Sequence, residues 1–220
     1  MLIYGLEVRL NLSSSIHMDK KVQKGEYLDI LLRSSKTIFS NKDIALMWGE
    51  KADGTVRVRL NYYVKAEKLI RVHRGLYAKD KNYNRYELAT RINTPSYISF
   101  ETVLGSSGMT FQYYGNIFVA SYIKRNMEVD GQRIEFVRMK DYVLSNTLGI
   151  ENSEGYARAT KERAYLDTIY RSKKYYIDNE SPLDWEKVFE ILPIYHNKRM
   201  EKTVKKYYDK FKKLQEENKK

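Results

Sequence analysis

The chain has 220 residues, 42% of them hydrophobic, which is enough apolar material for one large domain or two small ones and excludes an intrinsically disordered protein. Lysine and arginine outnumber aspartate and glutamate by 40 to 28, and the formal net charge of +12 favours an anionic partner. Cysteine is absent, so disulfides and thiol chemistry are excluded and a reducing cytoplasm is the expected compartment.

No apolar run approaches the roughly 20 residues of a membrane-spanning helix, so no membrane partner is expected. The opening stretch MLIYGLEVRLNLSSSIHMDKK carries Glu7 and Arg9 inside what would be the apolar segment of a signal peptide. No small-residue cleavage site follows, and export is not expected. Met18 is an alternative start, and residues 1–24 read as an N-terminal extension, loosely docked or disordered.

Residues 25–82 read as the first domain. After Gly25 a helix runs to about residue 36 with Leu28, Leu31 and Leu32 on one face. Ile38 and Phe39 supply apolar anchors. Ser40 or Asn41 caps a second helix over residues 42–48, which Gly49 ends. Asp53 or Thr55 caps a third that runs to about residue 67, and Val56, Leu60, Tyr63 and Val64 recur along it at helical spacing. Leu69 to Val72 reads as a strand, Arg74-Gly75 as a turn, and Leu76-Tyr77-Ala78 as the return strand. Such short helices are barely stable alone and must share a core. Three of them followed by a hairpin predict a winged helix-turn-helix, with double-stranded DNA as the partner.

With Val56, Leu60, Tyr63 and Val64 inward, the helical wheel directs Val58, Tyr62 and Lys65 outward, flanked by Thr55, Arg59 and Asn61. In a major groove, Arg59 would pair with guanine, Asn61 with adenine, and Val58 would meet a thymine methyl. Tyr62 and Lys65 suit phosphates. Arg57 falls near the core edge, where a snorkelling or backbone contact is expected. In the hairpin, Arg71, His73 and Arg74 would reach a phosphate or the minor groove. A similar helical core with a hairpin also serves protein-binding domains, which is the competing reading.

Residues 83–220 read as a second, mixed α/β domain, making the fold class α+β. Ser96 or Ser99 caps a helix that continues to about residue 106. Residues 116–122 form a strand, and residues 125–128 and 133–139 flank the hairpin turn Asp130-Gly131. A small antiparallel sheet packed by helices is expected. Ser181 caps a helix with Pro182 at its first position, closed by Pro193. From residue 195 to 217, Met200, Val204, Tyr207, Tyr208, Phe211 and Leu214 mark an apolar stripe that docks on the sheet. The opposite face, with Lys198, Arg199, Lys202, Lys205, Lys206, Lys212 and Lys213, is a solvated surface or a supplementary phosphate contact.

The chemistry-bearing residues do not assemble into a catalytic pattern. His17, His73 and His196 lie far apart in the chain without ligand-forming neighbours. Gly105-Ser106-Ser107-Gly108 lacks the lysine and the frame of a phosphate loop, and no nucleophile elbow surrounds Ser106. Asp130, Glu135 and Lys140 would be the set of a metal-dependent nuclease, but the turn explains Asp130 more simply. Glu162 and Asp167 are better suited to capping or to ion pairs with Arg158 or Arg163. No catalytic residue, cofactor or metal is expected.

The run RLNYYVKAEKLIRVHRGLYA, with the helix pair before it, resembles the N-terminal winged domain of AbiEi-type antitoxins from bacterial abortive-infection systems. Leu69, Arg71, Arg74, Gly75, Leu76 and Tyr77 carry the likeness. Residues 94–104, from Thr94-Pro95 to Leu104, resemble the family's helix after the wing. Residues 156–167, from Tyr156 to Asp167, resemble a later helix with an alanine, glutamate, basic, alanine and aspartate pattern. The resemblance extends over residues 27–175. It implies a cytoplasmic transcriptional repressor and phage-defence antitoxin that controls its own operon, acting as monomer or dimer on inverted repeats of its promoter. It also implies a functional partner, a nucleotidyltransferase-like toxin encoded beside it, with no stable complex required, and an antitoxin role for residues 83–220. A protein-interaction module and a nuclease with a DNA-docking domain are the alternatives.

Overall fold

The computed structural model describes residues 25–112, 114–153, 155–172 and 175–217, and the expected extension over residues 1–24 lies outside them. The protein is mixed α+β. Its N-terminal unit comprises α1 (Glu26–Arg33), β1 (Ile38–Ser40), α2 (Asn41–Met47), α3 (Gly54–Lys65), β2 (Ile70–His73) and β3 (Leu76–Ala78). The strands pair antiparallel in the order β1-β3-β2.

Local chemistry sets several of these boundaries. Ser40 and Asp43 form a capping box: the Ser40 hydroxyl accepts the Asp43 N–H at 3.1 Å, and the Asp43 carboxylate accepts the Ser40 N–H at 2.9 Å. The Asp53 carboxylate accepts the Thr55 N–H at 2.8 Å and starts α3. Leu31, Phe39, Ile44, Trp48, Leu60 and Tyr77 meet in one core, where the Trp48 indole N–H donates to the Tyr27 carbonyl at 2.8 Å. Ile38 and Phe39, expected as apolar anchors, are a strand, with both side chains fully buried and laddered on Ala78 and Tyr77.

The second unit comprises α4 (Arg85–Ile92), β4 (Ser96–Ile98), α5 (Glu101–Ser106), β5 (Ile117–Ser121), β6 (Arg125–Val129), β7 (Gln132–Arg138), α6 (Asp141–Leu144), β8 (Ile150–Ser153), β9 (Tyr156–Ala159), α7 (Lys161–Arg171), α8 (Trp185–Ile191), a 3-10 turn at Leu192–Tyr195, and α9 (Lys198–Glu217). The sheet is larger than expected and not purely antiparallel. Its order is β6-β7-β5-β4-β9-β8, with β5–β7 and β4–β9 parallel.

Other expectations change with it. Residues 96–98 are a strand rather than a helix start, and the chain turns into α5 through Phe100, whose φ of 56° lies in the left-handed region. Thr160, accepting the Arg163 N–H, starts α7 only after the strand at residues 156–159 has ended. Asp184 caps α8 in place of Ser181, because its carboxylate accepts both the Glu186 and Lys187 N–H groups. α8 ends at Ile191 with Leu192 as its C-cap, just before Pro193 as expected, and Pro193 then lies inside a 3-10 turn where its missing N–H costs nothing. The β6–β7 hairpin forms on Asp130-Gly131, both with positive φ, 51° and 70°, as a two-residue turn of this hand requires. The stripe of α9 rests partly on α8: Tyr208 and Phe211 lie 5.1 and 5.7 Å from the Trp185 ring, while Leu214 is exposed.

The two units are joined across residue 82. Ile38, Leu76 and Ala78 pack with Tyr83 and Leu88, and the fully buried Glu87 carboxylate accepts the Thr37 N–H at 2.8 Å and its hydroxyl at 2.7 Å. Arg91 bridges Glu87 and Asp43, at 3.2 and 2.8 Å. Among the described residues no helix is long and apolar enough to cross a membrane.

Candidate nucleic-acid interface

α3 buries Val56, Leu60 and Tyr63 and leaves Val64 half-covered. The opposite face carries Val58 and Tyr62 at 70% and 62% exposure, one helical turn apart. A valine and a tyrosine left so open, on a helix whose other side is fully packed, are informative where scattered apolar residues are not. Thr55, Asn61 and Lys65 are exposed around them. Arg57, expected at the core edge, is also exposed and belongs to the same open face.

Arg59 is placed differently from its expected role. Its Nη1 donates to both Glu50 oxygens, at 3.0 and 2.9 Å, and its guanidinium lies 3.6 Å from the Tyr27 ring centroid. Tyr27 donates its own hydroxyl to Glu50 at 2.8 Å. A guanidinium held by a carboxylate and an aromatic face is not presented to a guanine edge. A helical wheel gives the direction of a Cβ but not how far a long side chain folds back, and Glu50 sits in the loop before α3. Arg59→Ala should therefore lower stability by about 1–2 kcal/mol in urea denaturation, from the lost charged hydrogen bonds and ring contact.

The hairpin is tied to α3 by one arginine. Arg71 of β2 donates to the Asn61 side-chain oxygen and, at 3.3 Å, to the Tyr77 hydroxyl, with its guanidinium 5.5 Å from the Tyr77 ring. A two-pronged pair with adenine needs the Asn61 oxygen, which as placed already accepts from Arg71 and has one lone pair left beside the free amide N–H groups. His73 is half-buried beside an irregularity in the β2–β3 ladder, and Arg74 is exposed at the turn, where Gly75 takes a φ of 75°. Arg57, Lys65, Arg71 and Arg74 form no ion pair among the described residues. They leave a zone of uncompensated positive charge along the helix and the adjoining strands.

Glu50 and Tyr27, which hold Arg59, carry no signal in the sequence beyond being a polar and an aromatic residue near helix ends. Among the residues weighed for catalysis, Asp130 accepts the Tyr83 hydroxyl at 2.8 Å, and Ser106 donates to the Val103 carbonyl at 2.9 Å. Among the described residues no three histidine, aspartate or glutamate side chains come together as a metal site. No protein-family model matches the chain, and no curated protein matches it.

Proposed function

We propose that the protein is a DNA-binding transcriptional repressor whose residues 26–78 form a winged helix-turn-helix. In this reading α3 enters the major groove and the β2–β3 hairpin is the wing on the backbone. The supporting observation is the open face of α3, where Val58 and Tyr62 stand exposed among unpaired cations that continue onto the hairpin. The element order, helix, strand, two helices and two strands with β3 central, suits that role. Val58 meets a thymine methyl, Arg57 and Asn61 address base edges or sugar-phosphate, and Tyr62, Lys65, Arg71 and Arg74 hold phosphates. Arg59 supports the helix from behind. No catalysis is assigned to the chain.

The likeness of Leu69, Arg71, Arg74, Gly75, Leu76 and Tyr77 to the AbiEi wing extends the proposal to an autoregulating antitoxin. Its operon would also encode a nucleotidyltransferase-like toxin, and two copies would share an inverted repeat in the promoter.

A gel-shift titration on the DNA upstream of the reading frame tests the proposal. Four cations on four phosphates give a log–log salt slope of about −4, so affinity should fall roughly a hundredfold between 50 and 200 mM salt. Arg57→Ala should make that slope shallower by about one unit. An affinity indifferent to salt would refute the DNA reading.

A further inference from the structure

A cavity of about 840 Å³ opens in the second unit, walled by α4, α5 and β9, away from α3. That volume is in the range of small-molecule sites. Two features of its wall point to one kind of ligand.

The first is a pair of guanidiniums without acidic partners. Arg85, at the start of α4, donates to the Asp130 carbonyl at 3.4 Å and the Gln132 side-chain oxygen at 3.5 Å. Arg158, on β9, donates to the Ser106 hydroxyl. Neither forms an ion pair among the described residues. Both arginines line the cavity and rest on neutral acceptors, with Glu151 opposite Arg158 in the β8–β9 ladder but not ion-paired to it, and their planar forks match phosphate oxygens.

The second feature is aromatic: the half-buried Tyr86 lines the cavity, backed by the buried Tyr156 with ring centroids 5.5 Å apart and planes tilted by 51°, and a flat ring can stack on Tyr86. Behind the wall lie buried polar atoms. Glu101 is only 5% exposed. One of its carboxylate oxygens is held by Arg171, while Oε2 has no hydrogen-bond partner among the described residues. The Thr110 hydroxyl, in the same wall, is likewise buried and unpartnered. Both atoms are covered from the cavity as well as from bulk solvent, so they add polarity behind its wall without touching a ligand. Because Arg171 neutralises Glu101, this carboxylate does not repel an anion bound at the arginines.

We infer that this cavity binds a nucleoside monophosphate or a close chemical equivalent. Its phosphate lies on Arg85 and Arg158, and its base lies on Tyr86. The inference does not rest on DNA binding by α3.

Isothermal titration calorimetry of AMP into the full chain at low salt tests it, with adenosine and inorganic phosphate as separate ligands. AMP should bind saturably and about tenfold or more tighter than either part, and both Arg85→Gln and Arg158→Gln should weaken it by about tenfold. Arg85 is exposed, so its variant keeps the fold and decides the matter if Arg158→Gln is unstable. No saturable binding of AMP, AMP binding no tighter than adenosine, or affinity unchanged in Arg85→Gln would each overturn the assignment. So would binding of a short single-stranded oligonucleotide at this site with none of AMP, which would make the cavity part of a nucleic-acid surface.

Discussion

Asp167→Ala should destabilise the protein by about 3–5 kcal/mol, measured as the shift in urea unfolding. Asp167 and Arg163 are both fully buried on α7, one turn apart. The carboxylate accepts the Ser99 and Tyr195 hydroxyls at 2.7 Å each and the Tyr97 hydroxyl at 3.3 Å. Arg163 Nε lies 3.4 Å from Asp167 Oδ1, an ion pair without good hydrogen-bond geometry. The rest of the guanidinium donates to the Val143 and Leu148 carbonyls at 2.7 and 2.8 Å and to the Tyr97 hydroxyl at 3.0 Å. Burial pushes the Asp167 carboxyl above the ordinary carboxylate range, against the pull of Arg163 and of the hydroxyls of Tyr195, Ser99 and Tyr97. Truncation leaves a buried cation unneutralised and three hydroxyls without their acceptor, which is why the loss should exceed that of a typical core hydrogen bond. Asp167→Asn keeps an acceptor oxygen and should cost less than alanine. A loss below about 1 kcal/mol for alanine would mean that water takes the carboxylate's place.

Gly149→Ala should cost about 2–4 kcal/mol in the same assay, for steric reasons. Gly149 has a φ of 73°, where an L side chain is strained. A methyl there would stand 2.8 Å from Ile191 Cδ1 and 3.0 Å from Arg163 Cβ. Ile191 can rotate its terminal methyl aside. Arg163 cannot yield in the same way, because its Cβ is fixed to α7 and its guanidinium is committed to the buried network. The Thr160 N–H also donates to the Gly149 carbonyl at 2.8 Å, so the loop cannot retreat without disturbing the start of α7. An unchanged unfolding midpoint would show that the loop shifts freely.

What could be read in the sequence was what acts locally. Ser40 and Asp53 announce α2 and α3 because a cap bonds to N–H groups two or three residues on. Asp130-Gly131 announces a hairpin because its backbone must take a positive φ twice. The buried face of α3 follows from periodicity in Val56, Leu60 and Tyr63. The strands at residues 38–40, 96–98, 150–153 and 156–159 were not legible, being three or four residues long and defined by partners distant in the chain. Ser96 and Ser181 look like caps by composition, yet one opens a strand and the other lies three residues before the true cap, Asp184. At the candidate interface the wheel separates inner from outer faces but does not show that Glu50 and Tyr27 hold Arg59, or that Arg71 holds Asn61. Arg85 and Arg158 line one cavity only because the sheet and α4 bring them there, and nothing in their local sequence pairs them.

The pairing of β1 with β3 bears on how the chain is made. Ile38 and Phe39 are synthesised before their ladder partners, Ala78 and Tyr77. Until then the nascent chain carries two bulky apolar side chains and an open strand edge with nothing to receive them. α2 and α3 can form meanwhile, since their caps and first turns are local. Thr37 waits longer still, for Glu87. The N-terminal unit is therefore finished by sequence that lies beyond it, and a pause in translation before residue 87 would hold it open at the strand most prone to pair with another chain.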